Sequence, residues 1–138
     1  MKKIVALTLA LLMLLTASSA LAEKMIVHIT ALCYDTNHLG TRWAGSFRMG
    51  DVELMDGMIL DLVPAQYEFY TEIGEYDSSP EVGYADDMYN VTKNRLQNGF
   101  TVEQYLTVTE NKGIYKGYWC EWYVYLTFSP VGNATVLH

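Results

Sequence analysis

The chain has 138 residues, 51% of them hydrophobic, and its sixteen Asp and Glu against nine Lys and Arg give a net charge of −7. That is one domain's worth of chain, long enough to bury a core without metals. An acidic surface of this kind repels nucleic-acid phosphates and anionic lipid and suits cations and neutral ligands.

Lys2 and Lys3 precede an apolar run from Ile4 to Ala17, and Ser18-Ser19-Ala20-Leu21-Ala22 supplies small residues for cleavage after Ala22. The run is too short to span a bilayer comfortably, so residues 1–22 read as a cleaved signal peptide. The mature protein is expected to begin at Glu23 and to be secreted, with no stable membrane insertion after cleavage. Lys2 and Lys3 leave with the leader while every acid stays, which takes the charge to −9.

Eleven tyrosines and three tryptophans favour pleated, half-buried surfaces. The first strand is expected over Met25–Cys33, with Met25, Val27, Ile29, Ala31 and Cys33 on one face. Trp43–Met49 follows, then a Gly50-Asp51 turn and a short strand over Val52–Met55. Asp56-Gly57 is a strong hairpin signal leading into Met58–Val63, and Pro64-Ala65 turns the chain into Gln66–Ile73. An irregular stretch is expected from Gly74 to about Tyr84, then a weaker strand over Asp87–Lys93, with helix confined at most to a turn near Asn90–Leu96. Phe100–Val108 alternates cleanly, and the longest strand runs from Tyr118 to Phe128 with Tyr118, Cys120, Trp122, Val124, Leu126 and Phe128 inward. Eight short strands separated by turn signals predict a single all-β domain over residues 23–130, an eight-stranded antiparallel β-sandwich, with a C-terminal tail at 131–138.

In a sandwich of this count, the loops after odd-numbered strands share one end. Tyr34–Arg42, Gly74–Tyr84 and Glu110–Gly117 would then meet, bringing Asp35, Asn37, Glu75, Asp77, Glu81 and Glu110 together. Converging carboxylates need a counter-charge, and calcium takes six to eight oxygens in loose geometry. Calcium is therefore the cofactor expected, although no EF-hand pattern is present.

The succession Ala31-Leu32-x-Tyr34-Asp35-x-Asn37-x-x-Gly40, followed by Glu75-x-Asp77-x-x-x-Glu81-x-Gly83, resembles a C2-type β-sandwich, with an immunoglobulin-like arrangement as the other form of the fold. The resemblance implies a first-loop calcium ligand at Asp35 and third-loop ligands at Glu75 and Asp77. Arg42-Trp43 stands where that family carries a further aspartate. Asn37-His38-Leu39-Gly40-Thr41-Arg42-Trp43 and Thr109-Glu110-Asn111-Lys112-Gly113-Ile114-Tyr115-Lys116-Gly117 also resemble segments of small exported bacterial proteins, which implies export and this fold.

Enzymatic signatures are lacking. No serine lies in a G-x-S-x-G setting, no Cys or His pair has zinc spacing, and Cys33, the one cysteine near His38, is expected to face the core. The chain reads as a non-enzymatic binding module whose partner is a protein or a glycan at the cell surface. Besides the calcium form, an alternative uses outward aromatics to stack on sugar rings: Trp119, Tyr123 and Tyr125 on the last strand, with Tyr105 and Tyr70 on others. Cys33 and Cys120 allow one intramolecular disulfide in an exported protein. Adjacent first and last strands would bring the two within reach.

Overall fold

The computed structural model describes residues 22–36, 42–76 and 80–132, with the side chains of 35 and 36 left aside. The signal-peptide segment, Asn37, Asp77 and the tail from residue 133 lie outside the described residues. The strands are β1 (Glu23–Thr36), β2 (Trp43–Met49), β3 (Val52–Glu53), β4 (Ile59–Leu62), β5 (Ala65–Glu75), β6 (Glu81–Val91), β7 (Phe100–Thr109) and β8 (Trp119–Pro130), with one short helix, α1 (Lys93–Asn98). They form two four-stranded antiparallel sheets, ordered β4-β1-β8-β7 and β3-β2-β5-β6.

Period-two alternation builds the core. In β7, Phe100, Val102, Gln104, Leu106 and Val108 are buried and the residues between them are not. Val124, Leu126 and Phe128 of β8, Met25 and Val27 of β1, and Phe69 and Ile73 of β5 complete the layer between the sheets. Phe69 meets Phe128 across that layer at 5.8 Å, and Phe100 stacks on Phe128 at 4.7 Å. Burying each such ring contributes about 1.5–3 kcal/mol.

Three corrections to the sequence reading concern what lies beside the core. The expected loop from Gly74 to Tyr84 is mostly strand: β5 runs on to Glu75, β6 begins at Glu81, and the two pair in register throughout. The Asp56-Gly57 turn forms, closed by Met58 N–H donating to Met55 O at 3.0 Å, with Gly57 at φ +80°. It joins no hairpin, because β3 belongs to one sheet and β4 to the other. The turn docks on β1 instead, where Gly57 N–H donates to Val27 O at 2.7 Å and Val27 N–H to Met58 O at 2.9 Å. Tyr118 precedes β8 and is exposed, so the inward face of that strand starts at Cys120.

The helix lies slightly later than expected. Thr92 caps it by accepting a hydrogen bond from Arg95 N–H at 3.3 Å. On the far side of the molecule the sheets close on one another at β6 and β7. Gly83 permits this, since a Cβ there would strike the Thr107 carbonyl group, 2.9 Å away at its carbon. The opposite side is open. There β4 covers β1 only through Glu23–Ile26, and β3 covers β2 only at Arg48–Met49. A cleft of about 430 Å³ lies between them, lined by Ile29, Ala31, Gly45, Phe47, Leu54 and Asp56 among others.

Candidate functional site: an aromatic sheet face

The expected convergence of loops holds at the level of topology. β1 and β7 finish where β8 begins, and β5 finishes where β2 and β6 begin. Trp43 and Trp122, 5.0 Å apart, place those two ends together. The acids expected on the loops do not all stay there. Glu75 and Glu81 sit opposite each other on β5 and β6, both buried. Glu110 is buried just past β7, where its carboxylate accepts from Lys112 N–H at 3.1 Å and its backbone pairs with Tyr118 and Gly117. Asp35 is the next-to-last residue of β1, opposite Glu121 in register. Among the described residues, no three His, Cys, Asp or Glu gather as a metal-holding group.

Cys33 and Cys120 are joined in a disulfide, with their Cα atoms 6.6 Å apart and a sequence separation of 87. The bond follows from the pairing of β1 with β8. A register shift between Cys33 and Asp35 accompanies it, placing Trp122 opposite Cys33 and Thr36 opposite Cys120. The Cys33 sulfur is thereby occupied and is no thiolate nucleophile.

The outer face of the β4-β1-β8-β7 sheet carries a different set. Leu32, Tyr123 and Tyr105 occupy one row across β1, β8 and β7, and Thr30, Tyr125 and Glu103 occupy the next. Tyr34 leans on Tyr123 with ring centroids 5.4 Å apart, and Tyr105 lies 5.1 Å from Tyr123 on the other side. The rings are inclined to one another at 66° and 57°. Tyr34 is 79% exposed and Leu32 and Tyr105 about half so. Trp119, half-buried, opens the same face of β8 beyond Glu121. Glu121 faces Thr107 in register. The Tyr105 hydroxyl accepts from Thr107 at 3.5 Å, which lowers its pKa, while its bond to Glu121 raises it, and the net displacement is upward.

Tyr70 is on the other sheet. Its ring stacks on Tyr84 at 6.3 Å, Arg48 lies 4.5 Å over it, and its hydroxyl donates to Glu72 at 2.9 Å. That bond, Glu72's charge and burial together raise its pKa. The expected aromatic set therefore divides: Trp119, Tyr123, Tyr125 and Tyr105 share one face, and Tyr70 belongs to the opposite one. Tyr34 and Leu32 were missed because alternation in β1 points to its apolar inner face and says nothing of what gathers outside. The signal available was Tyr34 itself, which shares its strand parity with His28 and Thr30, the residues read as outward.

Comparison with protein-family models, with curated proteins and with solved structures finds no match to this chain.

Proposed function

We propose that this protein is an exported, non-enzymatic module that binds glycan through the aromatic face of its β4-β1-β8-β7 sheet. One observation carries the reading: Tyr34, Tyr123 and Tyr105 make a continuous run of ring contacts over three adjacent strands, with Tyr34 and Tyr105 exposed and Tyr123 half-buried between them. Exposed rings offer apolar faces to sugar C–H groups, while tyrosine hydroxyls and the carboxylates of Glu103 and Glu121 offer hydrogen bonds to sugar hydroxyls. An exposed apolar patch rimmed by polar groups is the ordinary mark of a binding surface. The residues 1–22 support export, and the two four-stranded sheets support a C2-like or immunoglobulin-like sandwich.

Retention on insoluble cell-wall and plant polysaccharides tests the reading. Tyr123→Ala and Trp119→Ala should weaken retention, and Tyr70→Ala, on the opposite sheet, should leave it intact. Retention by no polymer, or retention indifferent to Tyr123, overturns it.

A calcium site remains the second reading, favoured by Glu75 and Glu81 lying opposite each other in a buried position. Carboxylate oxygens are the ligands calcium prefers, and these two are within reach of one ion. If calcium binds there, millimolar calcium should raise the melting temperature over chelator, because a ligand of the native state alone stabilises by RT ln(1 + [L]/Kd), about 2.7 kcal/mol at hundredfold excess. Identical melts in the two conditions sink it.

A further inference from the structure

We infer that the glycan bound by this face carries free, positively charged amino groups, an inference that rests on the glycan reading above. The protein makes two cation–ring pairs of its own: Arg48 over Tyr70 and Arg95 over Tyr89, each with the guanidinium carbon 4.5 Å from the ring centroid. The Tyr34–Tyr123–Tyr105 row has no such partner among the described residues. No Lys or Arg stands in its row or in the rows on either side, which hold Thr30, Tyr125 and Glu103 below and Asp35, Glu121 and Thr107 above. Three electron-rich rings and the carboxylates of Glu103 and Glu121 thus share one patch with no Lys or Arg at its register positions. Such a patch attracts an ammonium group twice over, through the ring quadrupoles and through Glu103 and Glu121. The chain's overall acidity acts in the same direction and against uronate, sulfated or phosphate-bearing polymers.

Ring geometry bears on the physical form of the ligand. Rings inclined at 66° and 57° make no flat platform. They suit a single soluble chain that presents different sides of successive sugars rather than the surface of a polysaccharide crystal.

Two oligomers of equal length separate the possibilities: β-1,4-linked glucosamine and its fully N-acetylated counterpart, titrated by calorimetry at physiological salt. The glucosamine oligomer should bind about tenfold tighter, the sum of exposed cation–ring and ion-pair contributions. The Glu103→Gln, Glu121→Gln double variant should lose that preference, its affinity for the glucosamine oligomer falling more than its affinity for the acetylated one. Tyr123→Ala should weaken both. Glu103 is exposed and Glu121 half-buried on the outer face, so their variants should fold, and unchanged circular dichroism checks this. Equal or tighter binding of the acetylated oligomer overturns the inference and leaves the glycan reading standing. So does a preference that survives in the Glu103→Gln, Glu121→Gln variant, because general attraction to an acidic protein would then be its source. Retention on none of the polysaccharides together with no binding of either oligomer overturns both.

Discussion

Gln104 occupies a core position of β7 where alternation calls for an apolar side chain, and its hydrogen bonds explain why it is tolerated there. Its amide donates to Phe69 O at 2.9 Å and to the Asp87 carboxylate at 3.1 Å, while its oxygen accepts from the buried Thr71 hydroxyl at 2.6 Å. One side chain thereby ties β7 to both β5 and β6 in the facing sheet. Gln104→Leu would leave the Thr71 hydroxyl buried without its acceptor, at a cost of about 1–3 kcal/mol, readable by urea denaturation. Gly83→Ala acts on the same seam by another route. The new methyl meets backbone rather than a movable side chain, so β6 must shift away from β7, and a loss of about 1–3 kcal/mol is expected in the same measurement. Neither role was legible in the sequence. A glutamine and a glycine at inward positions read as weak points of strands until the facing residues are known.

At the scale of elements, strand pattern was legible where one face is mostly apolar, as in β1, β5, β7 and β8. The start of β6 was hidden because its inward positions hold Glu81, Gly83, Ala85 and Asp87, which carry almost none of the hydrophobic signal that marks a strand. Reading that stretch as loop put Glu75 and Glu81 on the surface, whereas pairing of β5 with β6 turns both inward. Sheet membership was beyond local pattern altogether: the Asp56-Gly57 turn has hairpin chemistry, yet its strands part to different sheets, and Tyr70 and Tyr105 alternate alike on opposite faces of the molecule. The pairing of β1 with β8 was the long-range relation that could be anticipated, through its cysteines. Closing a loop of 87 residues stabilises the fold by roughly 4–5 kcal/mol in the chain-entropy account. The Cys33→Ser, Cys120→Ser double variant should show a loss approaching that size in guanidinium unfolding, and alkylation of the denatured wild type without reductant should add no mass.

On the scale of the whole molecule, the two long sides of the sheet pair are unlike: one is sealed by β6 against β7, and the other leaves stretches of β1 and β2 uncovered beside the cleft. The hydrogen-bond ladder along that side of β1 passes from β4 to the Asp56-Gly57 turn and ends on a side chain, Asp56, whose carboxylate accepts from Ile29 N–H at 2.9 Å. That bond, set against desolvation and aided by His28 at 3.4 Å, holds the Asp56 pKa below the ordinary aspartate range. A depressed carboxylate pKa contributes stability that is present above the unfolded value and is lost as pH falls through the folded one. Acid therefore weakens the bond at Ile29 by neutralising its acceptor, and what loosens is a strand border able to pair with its like on another molecule. Asp56 is in this sense a guard against polymerisation. Light scattering should rise at pH values below the ordinary aspartate range, and Asp56→Ala should bring the same fibre-forming tendency to neutral pH, where the wild-type protein stays dispersed.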